Sequence, residues 1–185
     1  MRCLPDLIRN NIGEPNSPTM VHELAHAMVF KTFGIHGGSW IHEGFAEYAE
    51  MVFKQRDVAK EFAVKLKQGQ FTPLRKFLNI QALAFSGSDK DSSNVHKLYE
   101  QAAAFFAFLR KGPYSESFDE LAKKITGREL GSKGEIECLE EVYGMSLEEI
   151  EAEWVAWGKQ IDKGLAMRTM VLEEPVNPSL LIFPP

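Results

Sequence analysis

The sequence predicts a mainly α-helical fold around a single hydrophobic core. Three observations predict it. Apolar residues recur at helical spacing through most of the chain, and glycine, proline and capping residues punctuate those stretches at helix-length intervals. Few segments alternate as a half-buried strand would. The 185 residues, 44% hydrophobic and 25% charged, suffice for one domain with a substantial core and argue against wholesale disorder.

Taken in order, Thr19 is a candidate N-cap for a helix over residues 21–33, and Gly34, Gly37 and Gly38 mark its exit. Ser39 precedes a second helix, roughly 40–54. Residues 55–68 continue with helix formers and breaks at the margins. A short helix over 71–79 opens near Thr72-Pro73, where proline suits the first turn. A polar loop is expected over 87–94. The longest core-like helix spans 95–110, where Leu98, Ala102, Phe105, Phe106 and Leu109 form a broad apolar face. Gly112-Pro113 ends it.

Ser117 and Glu120 fit a capping box for a helix to about Ile125. Residues 133–143 supply another, broken at Gly144. Ser146 and Glu149 then restart a helix that carries Leu147, Ile150, Trp154 and Trp157. Prolines break up both ends: Pro5, Pro15 and Pro18 give an irregular arm over 1–20, and four prolines make 173–185 an extended tail. The chain thus reads as that arm, a body over 21–160 and an extension over 161–185.

Charge and composition narrow the function. Lys and Arg total 21 against 26 Asp and Glu, a formal net charge of -5 and a pI near 5.6. That balance argues against a nucleic-acid partner, and the basic pairs at 54–56 and 110–111 lack an aromatic ladder. The densest apolar block, Ala102–Leu109, has eight residues, far short of the ~20 that span a bilayer, so no membrane partner is expected. Residues 1–11 contain no signal-peptide core, which reads as cytoplasmic, with an exported or periplasmic location if the N-terminus is truncated. Cys3 and Cys138 make neither a disulfide scaffold nor a four-thiolate metal site, and no motif makes either a nucleophile. Gly37-Gly38 lacks the pattern of a phosphate loop, and His36 beside it reads as an exposed turn residue.

The stretch that can carry chemistry is His22-Glu23-Leu24-Ala25-His26. In an α-helix a four-residue separation turns about 400° and rises about 6 Å, so both imidazoles point to one region and can bind one zinc. Glu23 lies just beside that face, where its carboxylate can take a proton from activated water instead of completing the ligand set. Chance occurrence of this pattern is roughly 0.01 for a chain of this composition. The bland alternative is a pair of ordinary surface or core histidines.

The second helix reinforces the first. Trp40-Ile41-His42-Glu43-Gly44-Phe45-Ala46-Glu47-Tyr48 places Glu43 and Glu47 one turn apart on a common side. Glu43 can complete a His/His/Glu set with a fourth position open to water. Glu47 can accept the other ring proton of His22 or His26 and fix its tautomer. Trp40, Phe45 and Tyr48 would anchor the helix in the core. Without a metal, Glu43 and Glu47 would be a solvated acidic stripe.

Together these motifs resemble the gluzincin metallopeptidases, especially bacterial peptidase-MA-like domains. The resemblance implies a compact zincin-like helical catalytic domain that binds one zinc per chain through His22, His26 and Glu43, with Glu23 as catalytic base. It assigns Glu47 to His22, and gives His42, where many relatives have Asn, a supporting place beside the zinc and not a ligand's. Leu98-Tyr99-Glu100-Gln101-Ala102 looks like the family's tyrosine-bearing segment, which makes Tyr99 a donor to the developing oxyanion; from the residues alone His96 is an alternative. Val142-Tyr143-Gly144-Met145-Ser146-Leu147 and Trp154 look like its C-terminal helices, so the resemblance covers about 21–160.

Sixteen residues separate His26 from Glu43, a spacing that suits this smaller group. Gluzincins commonly carry an upstream β-sheet that holds an extended substrate, and only 21 residues precede His22. The sheet is therefore expected to be reduced or missing, or its role supplied by a protein partner or an upstream segment. The expected substrate is a peptide or protein. Two other functions fit the residues: a catalytically inactive, metal-stabilised interaction domain, and a metal-free helical adaptor.

Overall fold

A computed structural model of the chain describes residues 17–33, 38–80, 92–125 and 131–162. The expected arm up to residue 16, the tail from 163, Cys3, His36 and the loop over 81–91 lie outside the described residues. Among the described residues every regular element is helical and there is no strand. The mainly α expectation therefore holds. In chain order the elements are α1 (Pro18–Phe33), α2 (Ser39–Phe53), α3 (Val58–Lys67), α4 (Leu74–Leu78), α5 (Ser92–Lys111), a 3-10 turn (Ser115–Ser117), α6 (Phe118–Ile125), α7 (Gly131–Tyr143) and α8 (Leu147–Asp162).

Three boundaries differ from the sequence expectation, each for a local reason. Ser17, not Thr19, caps α1: its Oγ accepts the Met20 N–H at 3.2 Å, and Pro18 takes the first helical position, where its missing N–H costs nothing. Residues 92–94, expected as loop, are the first turn of α5; Ser, Ser and Asn are residue types that favour helix starts. Between α2 and α3 the chain turns without a glycine. Gln55 adopts φ 57 while Arg56 N–H bonds Met51 O and Gln55 N–H bonds Val52 O, both at 2.9 Å. That pairing is a Schellman closure with glutamine in the left-handed position. Asp57 then caps α3, accepting the Lys60 N–H at 3.1 Å.

Helix α5 is the axis of the molecule. Every residue from Ala102 to Leu109 is buried, the signature of a helix surrounded on all sides. Its most extensive partner is α2, and α2 in turn carries α1. A Cβ placed on Gly44 would meet the Ala102 carbonyl oxygen at 2.7 Å, so the absence of a side chain there allows the close approach of α2 and α5. On the far side, Trp154 of α8 stacks on Phe62 of α3 with ring centroids 4.6 Å apart and packs on Phe105 of α5 at 4.9 Å. Gln101 is buried and satisfied at both ends: its amide donates to Thr72 O at 2.7 Å and accepts from Thr72 N at 2.9 Å. That pins the extended segment leading into α4.

The start of α2 is held from a distance. Trp40 Nε1 donates to Glu135 Oε2 of α7 at 2.8 Å, and the same carboxylate accepts the Gly38 N–H. Glu135 is 2% exposed. Burial pushes its pKa up, and those two donors pull only partly the other way. A side chain on Gly38 would run into this carboxylate. No described helix is long and apolar enough to cross a membrane.

Candidate metal centre

Two consecutive helices build the site. α1 contributes His22 and His26, whose ring centroids are 4.7 Å apart. α2 presents Glu43 to both of them. Glu43 Oε2 stands 3.3 Å from His26 Nε2 and 3.6 Å from His22 Nε2. One donor atom from each of the three residues falls within 4.8 Å of the others, an arrangement that could hold a metal ion. A second group shares His22: its Nδ1, on the other side of the ring, faces Glu50 Oε2 at 3.2 Å and Glu47 Oε2 at 3.9 Å.

The electrostatics of the cluster are those of carboxylates gathered on imidazoles. For Glu43, burial would raise the pKa, but the facing His22 and His26 outweigh it and hold the group down to about 2. His22 moves the other way. Burial would lower its pKa, and Glu43, Glu50 and Glu47 together raise it. Glu47 is raised, first by burial and then by the neighbouring charge of Glu50.

One atom is telling. Glu43 Oε2 is buried and receives no hydrogen bond, although two imidazole nitrogens lie within 3.6 Å. Buried carboxylate oxygens are normally satisfied, so an oxygen left bare between two imidazole nitrogens suits a cation shared by all three. His22 Nδ1 and His42 Nε2 are likewise buried without a hydrogen-bond partner.

The chain matches no protein-family model, no curated protein and no solved structure at a significant level.

The remaining candidates lie around this cluster. Tyr99 of α5 has its ring centroid 6.1 Å from that of His22. Burial, then the charges of Glu43, Glu47 and Glu23, push its pKa up to about 12. The phenol therefore keeps its proton and can donate. The same interaction sets Glu23 within electrostatic reach of Tyr99, on a half-buried position of α1. His42 is half-buried, and burial followed by the proximity of His26 lowers its pKa. The charge of Glu43 partly offsets that lowering, and His42 belongs to neither three-residue group. His96 is exposed at the start of α5, although its charge reaches Glu47.

Sequence reasoning missed Glu50. Its signal is present, since Glu43, Glu47 and Glu50 stand at i, i+4 and i+7 and so share one face of α2. Choosing between Glu47 and Glu50 requires the lateral offset of α1 against α2, which spacing along one helix does not encode. Lys54 pairs with Glu50 one turn further on, and Lys65 and Arg56 pair with Glu100 just after Tyr99.

Proposed function

We propose that the chain is a zinc-dependent peptidase of the gluzincin type, with His22, His26 and Glu43 as metal ligands. The observation that carries this reading is the bare Oε2 of Glu43, 3.3 and 3.6 Å from the two Nε2 atoms. Donors bound at about 2.0–2.2 Å around a tetrahedral ion stand about 3.3–3.6 Å from one another. Support also comes from the H-E-x-x-H order at 22–26, which sets Glu23 beside the two imidazoles.

A zinc ion held there would supply Lewis acidity toward a peptide carbonyl and lower the pKa of water. Glu23 then removes a proton from the attacking water and returns one to the departing amine. Tyr99, kept protonated by its surroundings, donates to the oxygen on which negative charge develops. The charges of Glu50 and Glu47 lie behind His22, and His42 lines the second helix beside Glu43.

The test measures zinc content and peptide hydrolysis together on the chain and on Glu23→Gln. Near-stoichiometric zinc in both, with hydrolysis reduced by about 10²–10⁴-fold in the variant, is the expected result. A wild-type chain that loses all zinc on dialysis sinks the reading.

A second reading has one observation behind it. On α1, Leu24 is 51% and Met28 37% exposed one turn apart, a small apolar surface on the helix that carries both histidines. Such a surface suits a protein contact, as a metal-stabilised interaction domain would use. Full zinc occupancy without turnover on a broad peptide library would favour it.

A further inference from the structure

The geometry points to Glu50, tethered by Lys54, as the positioning residue that fixes the ring of His22 and turns its Nε2 toward the metal. This rests on the metal centre proposed above. His22 has two faces with different neighbours. Nε2 looks at Glu43, while Nδ1 is buried and unbonded, with Glu50 Oε2 at 3.2 Å and Glu47 Oε2 at 3.9 Å. Only the first of those two separations lies within hydrogen-bond range for a ring N–H.

The two oxygens of Glu50 divide the work. Oε1 takes the Lys54 ammonium one helical turn away, and Oε2 is left facing His22. The Lys54 contact on Oε1 holds the carboxylate with Oε2 toward His22. An acceptor oxygen behind Nδ1 favours the tautomer with hydrogen on Nδ1 and the lone pair on Nε2, which is the form a metal needs. Glu47 lies farther from Nδ1, at 3.9 Å.

The test compares Glu50→Ala, Glu50→Gln, Glu47→Gln and Lys54→Met by zinc competition against a chelator. It is paired with nitrogen-resonance spectra of the His22 ring in the metal-free protein, followed up an alkaline titration until the ring signals stop moving, so that the neutral form is read. Glu50→Ala is expected to weaken zinc about 10–100-fold. Glu50→Gln, which keeps an acceptor oxygen, should recover part of that loss. Glu47→Gln should change affinity less than about threefold, and Lys54→Met should weaken it about threefold. In the metal-free spectra the Nδ1–H tautomer should dominate in wild type and Glu47→Gln and be lost in Glu50→Ala.

A larger loss from Glu47→Gln than from Glu50→Ala, or an unchanged tautomer in Glu50→Ala, overturns the assignment. If Glu50→Ala does not fold, an undiminished zinc affinity in Lys54→Met does the same. A wild-type chain that takes up no zinc removes the metal centre and the role of Glu50 within it. The reversed ranking, by contrast, leaves the metal centre standing and removes Glu50 alone.

Discussion

Gly44 of α2 faces the backbone of Ala102 in α5 so closely that a Cβ would stand 2.7 Å from the Ala102 carbonyl oxygen. The neighbour is main chain and cannot turn aside as a side chain would. Gly44→Ala must therefore move one helix. Because Gly44 follows Glu43 directly, any such movement also shifts the carboxylate between the two histidines. A loss of about 1–3 kcal/mol in urea unfolding is expected, together with weaker zinc binding. Unchanged stability and unchanged zinc affinity would mean that the two helices do not meet as described.

Tyr99→Phe separates binding from turnover. The phenol stands near His22 without being a ligand, so zinc affinity should stay within about twofold while kcat falls about 10²-fold. KM should move little. The raised pKa favours the neutral phenol, so the donor persists as pH rises until it approaches about 12. An alkaline loss of activity near pH 10 that vanishes in Tyr99→Phe would contradict that environment.

Glu135 gives the fold a pH dependence of definite sign. Its folded pKa is raised above the ordinary 4.5, mainly by burial. The fold therefore prefers the protonated form. That contribution is fully present below pH 4.5 and is lost as pH rises through the higher folded value. Glu135→Gln keeps an acceptor for Trp40 and Gly38 and should flatten this part of the stability profile. Glu135→Leu should cost about 1–3 kcal/mol, because it leaves the Trp40 and Gly38 N–H groups buried without a partner. Thermal unfolding of the three proteins across pH 4–8 reads both effects; a Gln variant as pH-sensitive as wild type would remove Glu135 as the cause.

Asp57 is expected to matter more than its exposure suggests. It starts α3 immediately after the glycine-free turn at Gln55. Asp57→Ala should cost about 1 kcal/mol and Asp57→Asn only a few tenths, since asparagine caps equally well. Chemical denaturation of the two variants checks the order.

Much of the architecture is legible because helices report themselves locally. The spacing of His22 and His26 places both rings on one face, since the pitch of a helix is rigid, and the apolar residues around Phe105 announce a buried axis. What escapes the sequence depends on distance or on lateral fit. The Trp40–Glu135 bond spans 95 positions. Gln55 takes a conformation that ordinarily signals glycine. Glu50 lies closer to His22 Nδ1 than Glu47 does only because of how two helices are offset sideways. The roles of Glu23, Tyr99 and His42 are chemical, and neither spacing nor proximity alone decides them.

The three donors of the candidate metal centre come from a stretch of only 22 residues, His22 to Glu43, on two helices that follow one another directly. Closing so short a loop takes little chain entropy, and an ion can gather these groups before the distant α7 and α8 have docked. Zinc would then act on the order of assembly as well as on its end point. An ion that already gathers these groups in the transition state would speed refolding, by no more than it stabilises the finished protein, and any affinity for the unfolded chain would lessen both gains.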